Sequence, residues 1–466
     1  MIRIFIIKEL KEIVREGRFK ATAVLLLLLF AVTIILNYQY QLRTKQEREE
    51  ASLAERTLWE SQPDKNPHNA AHYGIYVFKP VYPLSILDPG VNYYNGITLY
   101  LEAHRRNSEL FSPAQDATSL ARFGDMRPAF VLLYLFPLFI ILLGYNMLSK
   151  ERETKTLSLL LAQGVSKIRI MLGKWIALSL FVLLFYLPVI AISALLLKDL
   201  QDFRWSSFLF FHSLYLLYYF VFINLVLLAS AIARRSGAAF ILLLLFWMIS
   251  TVLLPKLFSN IAEKRYPLPT NEQMAKNIAE INKRRKDEHT LAADVYKKTV
   301  DSLLQHYAVD SVEDLPVNMG GISLDIGEQY DSRNTETQFR LVNQQLDSQE
   351  KLYQSGGWLS PFLSARLGSM QLAGTNEEAH WRFTDSAEQY RRLFVGYMNR
   401  NIAYESGKQE NYKASASLWK SVPAFQYKMP DDRKELPVSS FFSLTIWLLL
   451  TAIALAFFST RLNSLA

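Results

Sequence analysis

Six long apolar runs alternate with polar segments along the chain. Each run is close to the roughly 20 residues that an α-helix needs to cross a bilayer. Helices are favoured there because the hydrocarbon core requires every backbone polar group to be satisfied internally. The pattern therefore predicts an all-α membrane protein with six transmembrane helices. The runs are Ala21–Tyr38, Pro128–Leu148, Trp175–Leu197, Ser207–Ala233, Gly237–Leu254 and Phe441–Phe458.

The apolar runs divide the rest of the chain into short links and two long polar segments. The N-terminal stretch has apolar residues at helical spacing with charges between them, which is typical of a helix lying at the membrane surface. The predicted organisation is an interfacial helix at 1–20, the first transmembrane helix at 21–38, an outer segment at 39–127, helices two to five at 128–254 with a linking helix at 150–162, a mostly helical outer domain at 255–440, the sixth transmembrane helix at 441–460 and a tail at 461–466.

Basic residues near the ends of the runs predict the orientation. Lys and Arg accumulate in short cytoplasmic loops, whereas long loops cross the membrane largely regardless of their charge. With six crossings, the basic clusters fall on one side together with both termini, so we expect both termini in the cytoplasm. The clusters are Arg3, Lys8, Lys11, Arg15, Arg18 and Lys20; Lys150, Arg152, Lys155, Lys167, Arg169 and Lys174; Arg234 and Arg235; and Arg461.

The net charge, the lack of cysteine and the length of the first run exclude three further interpretations. The formal net charge of +8 is explained by this topology, so it does not indicate a nucleic-acid partner. The chain has no cysteine, which excludes disulfides and lipoprotein-type acylation. The first run is too long for a signal peptide and is followed by no small-residue cleavage pattern, so we interpret it as an uncleaved anchor.

The apolar runs offer little chemistry of their own. They are almost free of ionisable residues, which argues against an ion-coupled carrier. The chain lacks HExxH and GxSxG, so an intramembrane enzyme has no support. It also lacks GxxxxGK[ST], and any energy from ATP must therefore come from another chain. We predict no catalytic residue, no resident metal and no cofactor.

The link between the second and third runs has an unusual composition. It reads SKERETKTLSLLLAQGVSKIRIMLGK from Ser149 to Lys174. The pattern predicts one helix over Lys150–Ala162 that is polar at its start and apolar at its end. Gly164 is expected to end it, and Ser166 to cap the next helix. Such a segment either transmits force from a soluble partner or serves only as a basic connecting loop.

This link resembles the segment after the second span of type-2 ABC exporter permeases, where a coupling helix docks into a cleft of the ATPase. The resemblance extends to Ile2–Phe19 (IRIFIIKELKEIVREGRF), which is similar to the interfacial helix of that family. It implies that seven residues of the link contact the ATPase. They are Glu151, Arg152 and Glu153 as polar contacts, with Thr156, Leu157, Leu159 and Leu160.

The resemblance carries further expectations. It implies a multi-pass subunit in the bacterial cytoplasmic (inner) membrane that pairs with itself or with a sister permease. A separate ABC-type ATPase would bind ATP and Mg²⁺. The two long outer segments are similar to those of a bacterial subgroup with a large insertion between the fifth and sixth spans. No substrate is implied.

The second outer segment shows helical periodicity. Four helices are predicted, and Gly320-Gly321 and Gly356-Gly357 are expected to punctuate them. The resulting bundle could be a cargo vestibule, a docking surface for an extracytoplasmic partner, or a lid. The predicted helices are Gln273–Asp287, Leu291–His306, Glu336–Tyr353 and Glu377–Tyr397.

The first outer segment contains three histidines. His68 and His72 are four residues apart, and His104 follows later, so a metal site is one interpretation. The chain places no third ligand at a fixed spacing, and hydrogen bonding within a Tyr-rich loop is the interpretation that the sequence favours.

Two functions remain open from the sequence. The first is the permease subunit of an ATP-driven exporter. The second is a non-transporting membrane scaffold that couples a cytoplasmic ATPase to an outer partner. The transmembrane pattern does not separate them, because both need the same construction.

Overall fold

The computed structural model describes residues 2–15, 17–107, 110, 127–287, 289–409, 411–428 and 436–460. The predicted tail at 461–466 lies outside the described residues. The helices are α1 Ile2–Arg15, α2 Gly17–Glu60, α3 Pro67–Tyr73, α4 Pro128–Phe130, α5 Phe136–Gly144, α6 Ser149–Glu153, α7 Thr156–Ala162, α8 Lys167–Leu197, α9 Trp205–Ile232, α10 Ser236–Met248, α11 Leu254–Arg265, α12 Asn271–Asp287, α13 His289–Tyr307, α14 Met319–Ser355, α15 Pro361–Leu372, α16 Glu377–Glu405, α17 Ala416–Ser421 and α18 Val438–Thr460. The strands are β1 Ile75–Phe78, β2 Thr98–Glu102 and β3 Arg105–Arg106.

Six helical segments of the described chain are long and apolar enough to cross a membrane, as the sequence predicts. Spans 2 and 4 form the centre of the bundle, because 67% of the most apolar window of each is buried, against 22–33% in the others. Span 4 packs against span 6, and α1 lies along span 3. Spans 1 to 6 are Lys20–Glu60, Pro128–Glu153, Lys167–Leu197, Trp205–Ile232, Ser236–Arg265 and Val438–Thr460.

Two tyrosine hydroxyls of span 4 donate hydrogen bonds to backbone carbonyls of span 2, next to a proline. Pro137 has no N–H to donate back into the preceding π-helical turn, Val131–Leu135. Tyr218 donates its hydroxyl to the Leu133 carbonyl at 3.1 Å, and Tyr219 donates to that of Leu132 at 3.0 Å. Both rings are fully buried. Neighbouring side chains often satisfy freed backbone groups of membrane helices in this way.

The first span does not end at the membrane. The sequence places the start of the outer segment at residue 39, but α2 continues without a break to Glu60 and is 44 residues long. At 1.5 Å per residue it extends about 66 Å, roughly twice the hydrocarbon thickness. Residues 39–60 are polar and contain no Pro or Gly, so the hydropathy change marks where the chain leaves the lipid, not where the helix ends.

The far end of α2 is anchored in a polar body, by which we mean the described residues between 61 and 110 and between 266 and 428. Trp59 is buried against the rings of Phe394 and Trp419, at centroid distances of 5.0 and 5.9 Å. Its indole N–H donates to the Trp419 carbonyl at 2.8 Å. The outer end of α2 is therefore fixed in the polar body.

The all-α prediction is wrong for the first outer segment. Strands β1, β2 and β3 form an antiparallel sheet in that order, with Ile75 opposite Leu101 and Leu101 opposite Arg106. The β-branched and aromatic residues of these strands suit a half-buried sheet. Val77 and Leu99 pack on Phe383 of α16, which supplies the apolar surface that the sheet covers.

The four helices predicted in the second outer segment are present, within α12, α13, α14 and α16. Gly320-Gly321 lies in the first turn of α14, where the Asn318 side chain caps the helix, so it does not separate two helices. Gly356-Gly357 forms a short 3₁₀ turn after α14.

Helix α15 fastens the polar body to the transmembrane bundle. The Ser364 hydroxyl donates to that of Ser443 on span 6 at 2.9 Å. Gly368 allows span 4 to approach closely, because a Cβ there would lie 2.8 Å from Leu214 Cδ2 and 2.9 Å from Ser440 Cβ. The body is therefore packed directly on the spans.

We expect Tyr218→Phe to destabilise the protein by about 1 kcal/mol, because it removes a buried hydrogen bond to the Leu133 carbonyl. Unfolding of the purified protein in detergent measures this. Adding Pro137→Ala supplies an N–H one turn later and should restore part of the loss. Tyr145→Phe is the control, since that hydroxyl makes no hydrogen bond within the described chain. Equal stability of Tyr218→Phe and wild type would contradict this account.

Candidate functional site

The end of the bundle opposite the polar body gathers several chain segments. We call it the basal junction and define it as Ile2–Arg15 with residues 149–174 and 230–236. Lys167 Nζ donates to the carbonyl of Thr460 at 2.7 Å, which brings the end of span 6 to the same place. Both ends of the described chain therefore lie at this end of the bundle.

Four charged side chains meet at the centre of the basal junction. Lys174 Nζ lies 2.7 Å from Glu9 Oε1 and 3.0 Å from Glu151 Oε1. Lys8 Nζ lies 2.6 Å from the same Glu151 oxygen. The Lys174 and Glu9 side chains are only 1% and 4% exposed. Two carboxylates and two ammonium groups balance each other, which a buried charge cluster requires.

The close approach of α1 to span 3 makes this cluster possible. A Cβ at Gly173 would lie 2.9 Å from Phe5 Cβ, so only glycine admits α1 at this distance. Burial lowers the pKa of Lys8, but the hydrogen bond and the charge of Glu151 outweigh that effect and raise it. Lys8 therefore stays charged at neutral pH.

The two residues after Glu151 bind two further elements. Arg152 donates to the carbonyls of Ala233 at 2.6 Å and Ala231 at 2.7 Å, where α9 ends. The Glu153 carboxylate accepts from the Ser236 N–H at 2.8 Å and from its hydroxyl at 3.0 Å, where α10 begins. A cation at a helix C-terminus and an anion at an N-terminus are both favourable to the helix dipole.

The side chains of Glu151, Arg152 and Glu153 thus bond to other parts of the same chain. Glu151 holds α1 and span 3, Arg152 holds span 4 and Glu153 holds span 5. Their expected contact with an ATPase stays a prediction, but their hydrogen bonds within the chain give them an anchoring role. Three successive charges on α6 therefore connect four separate elements.

The prediction of one helix over Lys150–Ala162 is wrong, because α6 and α7 are separate helices. Lys155 lies between them in the left-handed conformation, with φ of +59°. The Thr156 hydroxyl donates to the Glu151 carbonyl at 3.2 Å across the break. Gly164 follows α7 with φ of +77°, as expected. Ser166 occupies the N-cap of α8, but its side chain makes no capping hydrogen bond.

The α7 residues that are predicted to contact the ATPase fall into a buried group and an accessible group. Leu157 is fully buried and belongs to the core of the bundle. Leu159 is 60% exposed, Leu160 is half-buried and Thr156 is exposed. Only the second group is available to a partner protein. The anchored α6 therefore carries a short helix with an accessible apolar side chain.

The sequence does not indicate the partners of Glu151. Lys8 and Lys174 count there toward the orientation of the chain, and nothing marks Glu9 as their partner. Glu9 and Lys174 are 165 residues apart. The available signal was the position of Lys174 directly before an apolar run, because a charge at that depth is expensive unless it is paired.

A second cluster lies in the polar body. The structure brings His68, His72 and His104 together, and one potential ligand atom from each lies within 4.8 Å of the others. Among the described residues, this is the group of side chains suited to hold a metal ion.

Comparison with known proteins identifies a family. A family model described as ABC-2 family transporter protein matches residues 4–461, which include all six spans, the polar body and the basal junction except its first two residues. No curated protein matches the chain.

Breaking the charge cluster should destabilise the basal junction. We expect Glu151→Gln to cost about 3 kcal/mol of unfolding free energy, since it leaves Lys8 and Lys174 sharing Glu9. Lys8→Gln combined with it leaves a balanced Glu9–Lys174 pair, so the double variant should lose less than the sum of the two single losses.

Glu12→Gln is the matched control, because Glu12 lies 3.6 Å from Lys8 but is 53% exposed. It should change stability by less than about 1 kcal/mol. Additive losses in the Glu151 and Lys8 variants, or equal losses at Glu12 and Glu151, would show that the cluster does not act as a unit.

Proposed function

The chain belongs to the ABC-2 transporter family, and on that premise we propose that it is the membrane-spanning subunit of an ABC exporter that is driven by a separate ATPase through α6 and α7. Members of this family are membrane components of transporters and are not themselves catalytic. The ATPase would bind ATP and Mg²⁺ and hydrolyse the nucleotide. Two copies of this chain, or this chain and a sister permease, would form the translocation path between them.

The observation that carries this proposal is the anchoring of α6 by three consecutive charges. A partner that displaces α7 also displaces α6, because only Thr154 and Lys155 separate the two helices. Glu151, Arg152 and Glu153 then transfer the displacement to α1 and to spans 3, 4 and 5. One contact surface thus acts on most of the bundle.

The contact surface on α7 suits a protein partner. Leu159 is the most exposed leucine of this helix, and Leu160 and Thr156 flank it. A protruding leucine with a half-buried leucine beside it can enter an apolar cleft of a partner protein. We assign Leu159 and Leu160 to the ATPase cleft, while Leu157 supports α7 from within the core.

The orientation follows from the basic residues at the same end. The basal junction collects the Lys and Arg clusters of the short links, so we place it in the cytoplasm of a bacterium, beside the inner membrane. The polar body then lies outside the cell membrane, where it can contact cargo or an extracytoplasmic partner.

A second function, the scaffold that transmits mechanical force, is favoured by α2. This single helix connects the basal junction to the core of the polar body at Trp59. It gives a direct mechanical path that export alone does not need. A structure of the paired chains separates the two functions, because a continuous cavity between them supports export and a closed interface supports the scaffold.

We expect Leu159→Asp to reduce ATPase binding at least tenfold without lowering the melting temperature, because the side chain is exposed. Co-purification and ATP hydrolysis in nanodiscs measure the effect. Leu53→Asp is the control, since Leu53 is 69% exposed on α2, far from the basal junction. Unchanged ATPase binding and hydrolysis in Leu159→Asp would remove α7 from the coupling path.

Single cysteines test the orientation without background, because the native chain has none. Ser158→Cys on α7 should react with a membrane-impermeant maleimide only after permeabilisation. Ser302→Cys on α13 should react in intact spheroplasts. Both residues are exposed. Labelling of Ser158→Cys in intact spheroplasts would place the basal junction outside and overturn the proposal.

A further inference from the structure

The three histidines of the polar body belong to two chain segments that are bonded to each other. His68 and His72 lie four residues apart on α3, whose first turn is capped by the Asn66 side chain. His104 occupies the turn between β2 and β3. The Ala103 N–H donates to the carbonyl of Ala71 at 3.1 Å, which fixes this turn against α3.

We propose that His68, His72 and His104 bind a divalent transition-metal ion of the kind that prefers imidazole ligands, with Zn²⁺ as the representative. Three histidines are a recurrent ligand set for zinc, with a fourth position left for water or another ligand. The site is independent of the basal junction and does not rest on the proposed export function.

The imidazoles already converge. Their ring centroids are separated by 4.8 Å for His68 and His72, 5.2 Å for His68 and His104, and 5.1 Å for His72 and His104. A tetrahedral zinc ion needs nitrogens about 3.3 Å apart. His72 and His104 are exposed, so rotation of their side chains can close the difference.

Two of the rings are oriented by acceptors behind them. His104 Nδ1 lies 2.8 Å from Glu328 Oε2, and His68 Nδ1 lies 3.3 Å from Asn399 Oδ1. The Glu328 carboxylate can only accept, so it fixes a proton on His104 Nδ1 and leaves Nε2 with a lone pair for a metal. The Asn399 amide, oriented with its oxygen toward His68, gives that ring the same tautomer. Metal-binding histidines almost always have such a partner.

The acceptor Glu328 is itself held rigidly. Its side chain is 4% exposed, and Arg391 Nη1 lies 2.6 Å from its other oxygen. Its two oxygens are divided between His104 and Arg391, so the carboxylate is held directly behind the His104 ring. A carboxylate in this position is a recurrent partner of metal-binding histidines.

The backbone of His104 adopts a conformation that is unfavourable for a residue with a side chain. Its φ is +65°, in the left-handed region that costs a residue with a Cβ about 1 kcal/mol or more. The His104 N–H donates to the same Glu328 carboxylate at 3.0 Å, which compensates for this conformation. The turn thus presents an imidazole toward α3 where glycine would be the easier residue.

Hydrogen bonding alone does not account for three imidazoles at this distance. Three protonated imidazoles at these separations would repel each other, whereas a bound cation draws neutral imidazoles together. A bound ion would connect α3, the β2–β3 turn and, through Glu328 and Asn399, helices α14 and α16.

The test uses the full-length protein in detergent, purified without a polyhistidine tag and stripped with a chelator. Zn²⁺ is titrated in competition with a chromophoric chelator, and Co²⁺ absorption reports the geometry. We expect one site per chain. His72→Gln and His104→Asn should each weaken binding more than 100-fold, and asparagine tolerates the left-handed backbone at residue 104.

His306→Ala is the matched control, an exposed histidine of the polar body outside the cluster, and it should bind Zn²⁺ like wild type. Glu328→Gln should weaken binding roughly 10- to 100-fold, as expected for removal of a partner behind a ligand. Melting of each metal-free variant shows that it folds. Zn²⁺ should raise the melting temperature of wild type and His306→Ala, that of Glu328→Gln by less, and that of His72→Gln and His104→Asn least of all.

Two results would overturn the proposal. One is wild-type protein that binds no Zn²⁺ or Co²⁺ at micromolar concentration. The other is equal binding in wild type, His72→Gln and His104→Asn. Neither outcome depends on the ATPase, so the proposed export function is tested separately.

Discussion

The salt bridges of Glu151 are the interaction on which the arrangement of the basal junction depends. This carboxylate accepts from Lys8 and Lys174 and so joins the N-terminal helix to span 3. Each ion would be costly alone in this setting, but the balanced cluster is tolerated. With Arg152 and Glu153 on the ends of two further helices, α6 becomes the point where the chain segments on this side of the membrane are connected.

The opposite end of the bundle is connected by different means. Serine hydroxyls and a glycine contact pack α15 on spans 4 and 6, and tryptophan packing secures α2 in the polar body. Displacements produced at the basal junction can therefore reach the polar body by two routes, through the core spans and along α2. Both proposed functions, export and mechanical transmission, use this connection.

Run length and periodicity predicted the six spans and the helices of the second outer segment, because these depend on local composition. The sheet was missed because strands β1 and β2 were interpreted as parts of a Tyr-rich loop. The break at Lys155 was missed because it depends on how α6 is anchored. The Glu9–Lys174 pair and the convergence of His104 on α3 link residues far apart in the chain, which a single sequence does not reveal.

The uninterrupted length of α2 has a geometric consequence. A rod of about 66 Å that pivots at its inner end moves its tip by about 11 Å for each 10° of tilt. Because this tip is buried in the polar body at Trp59, and the body packs on spans 4 and 6, such a tilt would have to carry the body with it. The number of residues between the two ends of α2 thus sets how far the body would travel for a given angle.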